Sequence, residues 1–100
     1  MKILYKKVGY PAMVKVIRDE VGDLWELLDG SIDLIPLADN VYMIYDSDAK
    51  AKDLPPHMLT YDSEVILGDV VVAAREEGVF RDLTEIEIRT AIEMLEAMEL

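Results

Sequence analysis

Apolar and polar positions alternate in short blocks along most of this chain and change to helical spacing twice. Ile3 to Val8 alternates, with Ile3 and Tyr5 on one side and Leu4 and Val8 on the other. Gly9-Tyr10-Pro11 predicts a turn, and the β-branched run Met13 to Arg18 resumes a strand. The two form a hairpin whose lysines belong mostly on the solvent face or at an edge. Val21, Leu24, Trp25 and Leu28 then share one face of a short helix, with Trp25 as a core anchor. Asp19 suits its N-cap, Glu20 and Asp23 suit the positive end of its dipole, and Gly30 suits a left-handed C-cap.

From Gly30 to Asp46 two apolar strands flank a tight polar turn, Ala38-Asp39-Asn40. Pro36 cannot donate to a ladder, so its strand is an edge or ends there. Val41 to Tyr45 is apolar on both faces and suits an inner strand. This pair is the expected centre of the sheet. Asp46 to His57 follows as the one long irregular segment, with Pro55-Pro56 favouring an extended path. Val65 to Ala74 is the most apolar run, and Gly68-Asp69 predicts a bulge or a bend between two short strands. Arg75 to Gly78 is a turn, and Phe80 continues the strand or plugs the core. The last element is a helix that opens on a capping box, Asp82 with Glu85 or Thr84 with Glu87. Its stripe is Ile88, Ala91, Ile92, Leu95 and Met98, widened by Met94, and it is expected to lie on the sheet. The fold class is α+β: one domain, residues 1–100, with an antiparallel or mixed sheet of about five strands and two helices packed mainly on one face.

Composition narrows the function classes. The chain has 100 residues, 52% of them hydrophobic, and no cysteine. Disulfides, thiolate metal sites and a cysteine nucleophile are excluded. There is no signal-peptide core and no apolar run near the ~20 residues that cross a bilayer, so a soluble cytoplasmic protein without membrane contact is expected. The formal net charge is −11. Residues 1–18 carry Lys2, Lys6, Lys7, Lys15 and Arg18 and no acid, a balance of +5; the rest of the chain carries all 21 acids and sums to −16. Such a surface repels phosphate and argues against direct nucleic-acid binding. It suits either solubility or docking on a partner protein with a basic surface.

Catalytic inventory is thin. The only histidine, His57, follows two prolines and has no serine or acid at a spacing that announces a triad; a surface or packing role is expected. Asp46-x-Asp48 with Asp53 superficially matches a calcium loop but lacks the central glycine, and His57 stands where the bidentate glutamate belongs. No phosphate loop or dinucleotide fingerprint is present. We therefore expect no cofactor and no catalytic or metal-ligating residue, and take Asp46, Asp48, Asp53 and His57 as the candidate interaction surface.

Gly30-Ser31-Ile32-Asp33-Leu34-Ile35-Pro36-Leu37, Leu54-Pro55-Pro56, Gly68-Asp69-Val70-Val71-Val72 and Phe80-x-x-Leu83-Thr84-x-x-x-Ile88 occur in this order. The series resembles the uncharacterised domain-of-unknown-function family 3846 of bacteria, phages and mobile elements. Members often carry an asparagine after the Leu-Pro step, where this chain has Pro56-His57. The resemblance supplies no catalytic residue; it implies a mobile-element setting, in which small acidic proteins sometimes inhibit host machinery. The functional expectation is a non-enzymatic acidic binding protein that acts by protein–protein contact, as an inhibitor of a host nucleic-acid-handling or defence factor. The alternative is a small-ligand binder or unrecognised enzyme using the Asp46–His57 loop with Tyr42, Tyr45 and Tyr61 nearby. A homodimer through an edge strand or the last helix stays open.

Overall fold

The computed structural model describes every residue except Asp19, with Glu20 and Val21 described in backbone only. The expected cap at Asp19 lies outside the described residues, as does the side chain of Val21. Among the described residues the elements run β1 (Lys2–Lys6), β2 (Met13–Val16), α1 (Glu20–Leu28), β3 (Ile32–Ala38), β4 (Val41–Asp46), β5 (Pro56–Leu59), β6 (Val65–Leu67), β7 (Val70–Glu76), β8 (Val79–Arg81) and α2 (Glu85–Met98). The fold is α+β, and every strand pairing is antiparallel.

The main sheet has six strands, in the order β2-β1-β7-β4-β3, with β8 also on β7. Val70–Val72 of β7 pair with β1 and Ala74–Glu76 with β8, while β4 runs along the opposite side. Thus β1 and β8 lie end to end along one edge of β7. The Gly30–Asp46 hairpin is not the centre of the sheet: β7 is, and β3 forms an outer edge. That placement agrees with Pro36, whose missing N–H is harmless at an edge. The strand pair β5–β6 forms a separate two-stranded sheet. It divides the apolar run Val65–Ala74 at Gly68-Asp69, so the two halves of that run belong to different sheets.

Two apolar clusters occupy the two faces. Leu4, Met43, Val70, Val72 and Ala74 pack with Ala91, Leu95 and Met98 of α2 and with Met58 and Ile66 of the β5–β6 hairpin. Ile3, Ile44, Val71 and Ala73 pack with Leu24 and Leu28 of α1. The helices therefore cover opposite faces, not mainly one. The physical reason lies in β7, which is apolar at every position from Val70 to Ala74 and needs cover on both sides.

Trp25 departs from its expected place. Leu24 and Leu28, one turn apart, face the sheet with Leu27 partly buried, and Trp25 is rotated outward. The helix closes with Gly30 N–H donating to the Trp25 carbonyl at 3.2 Å, and Asp29 is the first left-handed residue, at φ 55°. This is the six-to-one bond of a Schellman cap, one residue earlier than expected. At the other helix Thr84 is the N-cap. Glu87 N donates to Thr84 Oγ1 at 3.2 Å, and Thr84 N donates to Glu87 Oε1 at 2.9 Å. Arg81 grips the same carboxylate at 2.7 and 2.9 Å.

Arg81 and the cap hold the Glu87 pKa down at about 2. Its contribution to stability is complete above the ordinary glutamate value and fades as pH falls from 4.5 toward 2. Thr84→Ala should cost about 1 kcal/mol in urea unfolding at neutral pH. Glu87→Gln should flatten that acid dependence, measured as unfolding free energy against pH.

Candidate functional site

The expected surface Asp46, Asp48, Asp53 and His57 separates into three environments. Leaving β4, the chain coils through Ser47–Leu54 in hydrogen-bonded turns, including Leu54 N to the Ala49 carbonyl at 3.1 Å. Asp46 is buried at the base of this coil. Its Oδ1 accepts from Asp48 N at 2.8 Å and its Oδ2 from Lys52 Nζ at 2.7 Å. Lys52 Nζ also donates to the Asp29 carbonyl just past α1. The end of a helix leaves carbonyls unpaired and favours a cation there. The hydrogen bond to Asp46 raises the Lys52 pKa, which keeps the ammonium charged. Asp46 thus fastens the loop to α1. Asp48 and Asp53 are exposed.

His57 also points inward. The β5 register shifts between Pro56 and Met58, and the His57 ring is buried. Its Nδ1 lies 2.7 Å from the Gly68 carbonyl; a carbonyl only accepts, so Nδ1 carries the proton. Nε2 is buried and makes no hydrogen bond among the described residues. Glu99 Oε2 stands 3.8 Å from it, and the same oxygen accepts from Lys6 Nζ at 2.6 Å. Lys6 is itself buried, and its Nζ also donates to the Lys7 carbonyl at 3.0 Å. Most lysines of the first hairpin face solvent as expected; Lys6 is the exception. Its ammonium holds the Glu99 carboxyl below the usual range. Burial pushes the His57 pKa down, aided by the positive charge of Lys6 and opposed by Gly68, Glu99 and Asp69.

The backbone around these side chains is shaped for the contact. Gly68 has φ 79°, and a Cβ there would lie 2.8 Å from Leu54 Cδ1. Only glycine lets the loop pack so closely and aims this carbonyl at His57. Leu100 N donates to the His57 carbonyl at 2.9 Å, and Met58 bridges Glu99. The Lys6–Glu99 ion pair, with the backbone contacts Leu100 to His57 and Met58 to Glu99, is therefore a latch joining β1, β5 and the end of α2.

Glu99 is engaged by Lys6, and Nδ1 of His57 is engaged by Gly68. A cleft of about 390 Å³ beside the latch is bordered by Lys6, Tyr10, Ala12, Ile92 and Glu99. A second, of about 440 Å³, lies between the β3–β4 pair and β6, bordered by Asp33, Tyr45, Lys50 and Glu64. There the Tyr45 hydroxyl donates to Asp33 at 3.4 Å, and burial with the Asp33 charge raises its pKa, so the phenol stays protonated. Tyr42 does not join it: Tyr42 and Tyr45 differ by an odd step in β4 and face opposite sides of the sheet. Tyr61 is exposed on the β5–β6 turn. Among the described residues no three histidine, aspartate or glutamate side chains converge to hold a metal ion, and no helix is long and apolar enough to cross a membrane.

Three residues of consequence escaped the sequence reading. Lys6 shares the parity of Leu4, which places it on the buried α2 face; its charge outweighed that signal. Glu99 follows Leu95 by one helical turn, on the inward side. Trp25 is 54% exposed, although its spacing from Leu28 suggested burial.

His57 should make folding acid-sensitive. Below about pH 6.5 the unfolded chain takes up a proton that the buried imidazole resists, so stability falls as pH drops through that value and levels off below the native pKa. Urea unfolding from pH 7.5 to 5 should show this slope, and His57→Gln should remove it.

The family model described as domain of unknown function DUF3846 matches residues 1–96. No curated protein and no solved structure matches the chain. With nearly its whole length covered by that model, the chain belongs to domain-of-unknown-function family 3846.

Proposed function

We propose that this protein is a non-enzymatic acidic binding module that acts by contact with a partner protein presenting a basic surface. The observation that carries this reading is Trp25, which stands exposed on α1 beside exposed Glu26 and Asp29. At 54% exposure the ring offers apolar area and an indole N–H for a partner to bury and bond. Tryptophan is enriched among the few residues that dominate interfaces. The acidic surroundings set the sign of the partner. The inward turn of Asp46 and His57 supports the same reading, because both side chains are buried and Asp46 is engaged in holding the loop.

A narrower version rests on the mobile-element setting expected from the sequence motifs. In it the partner is a host nucleic-acid-handling or defence factor. A surface that normally receives phosphates is basic, and exposed carboxylates compete for it.

Immobilised protein should retain a bacterial partner from lysate at ~0.1 M salt and release it at ~0.5 M, where exposed charges are screened beyond a few ångströms. Trp25→Ala should reduce retention at least about tenfold at equal folding, checked by circular dichroism. Retention that is indifferent to both salt and Trp25 would refute the reading.

A further inference from the structure

The second edge of the sheet differs from β3 in every respect that matters for recognition. β2 is exposed at all four positions, and beyond it no strand is paired among the described residues. Its register with β1 settles which backbone groups are open. Ile17 N donates to the Met1 carbonyl at 2.9 Å, so Met1 and Ile17 form a hydrogen-bonded pair. Stepping by two, Lys15 with Ile3 and Met13 with Tyr5 are hydrogen-bonded pairs as well. Val14 and Val16 occupy the alternate positions, so their N–H and C=O groups point away from the sheet.

Their side chains are 51% and 69% exposed and lie on the α2 face with Leu4. Lys15 projects from the opposite face. Lys7, Lys15 and Arg18 are exposed around this edge, in the part of the chain that carries no acid. An open ladder flanked by bare valines is a pairing template, and Lys15 alone guards it.

We propose that β2 is a strand-addition site for an extended acidic segment of a partner protein. This surface is distinct from Trp25 and does not depend on the reading above. The segment alternates apolar and acidic residues. Apolar side chains fall opposite Val14 and Val16, and a carboxylate falls opposite Lys15. Up to four backbone hydrogen bonds form, through the two open valines, and charge selects the partner. A second copy of this chain is the poorer occupant. The register that sets Val14 against Val16 of a second copy also sets Lys15 directly against Lys15, and like charges facing across a ladder are destabilising.

The test uses the full chain with a capped short peptide alternating valine and glutamate, beside one alternating valine and lysine. The valine–glutamate peptide should slow amide exchange at Val14 and Val16 about tenfold or more, with little change at β3. Lys15→Glu should weaken that peptide about tenfold and improve the lysine peptide, since like charges across the ladder repel. Lys15 is exposed, so this variant should fold, and unchanged circular dichroism verifies it. The proposal is overturned if both peptides bind equally, if protection maps elsewhere, or if Lys15→Glu leaves the preference unaltered. It is also overturned if light scattering shows a dimer and the valine amides are already protected without peptide.

Discussion

Strand β7 has no polar face to turn toward water. From Val70 to Ala74 every side chain is buried, and neighbouring side chains point to opposite faces. Cover on one side would leave Val71 and Ala73 exposed, or else Val70, Val72 and Ala74. Fully burying a valine is worth about 1.5–3 kcal/mol, so neither set can be left in water in a chain of this size. The architecture follows from that requirement. α1 closes one face, α2 and the β5–β6 hairpin share the other, and β4 with β1 and β8 take the two sides of the strand. The remaining strands, β2 and β3, have no further strand beyond them among the described residues and become edges.

With so small a core, the layers need fastening, and polar pairs with one buried member each do that work. Lys6 and Glu99 tie the first strand to the end of α2, and His57 meets that end through its carbonyl, which accepts from Leu100 N, and the Gly68 turn through Nδ1. Asp46, through Lys52, ties the loop to the end of α1. Tyr5 and Val8 both donate to Asp69, at 3.1 and 2.9 Å, which fixes the entry to β7 against β1. A buried ion pair gains little over a well-packed apolar pair, but losing one partner leaves a charge without compensation. Such contacts hold relative position more than they add stability. They explain why the loop from Asp46 to His57, though long, is anchored at both ends.

Much of this was legible along the chain. Pro36 marked an edge, the Thr84–Glu87 box marked the start of α2, and Gly68-Asp69 marked the division between β6 and β7. Cover on both faces was read at Val41–Tyr45, whereas the strand that demands it most is β7, buried at every position from Val70 to Ala74. What one dimension withholds is order between distant strands. β3 and β4 look central because they are adjacent and apolar, whereas β7 becomes central only by pairing with β1, more than sixty residues away. β5 and its pairing with β6 are not legible because Pro55-Pro56 and the polar turn Thr60–Glu64 hide a short strand that gains stability by packing Met58 beside Ile66 on the α2 face. The burial of Lys6, and of His57 rather than its exposure, was not legible for a related reason. Their burial depends on Glu99 and Gly68, partners that local periodicity cannot supply.

The two edges show how the same scaffold treats exposure differently. β3 carries Pro36, an outward Asp33 and a register shift between Pro36 and Ala38, each of which discourages a further strand. β2 carries none of these, only Lys15, and it exposes valines at both positions whose backbone is unpaired. Protection at one edge alongside openness at the other cannot be a consequence of the core, because both strands lie equally far from β7 in the sheet order. The difference also coincides with charge: the open edge is in the basic segment and the guarded one in the acidic remainder. A charge rule therefore replaces a steric one at β2. Lysine repels a second copy of the same edge while leaving an acidic strand free to approach.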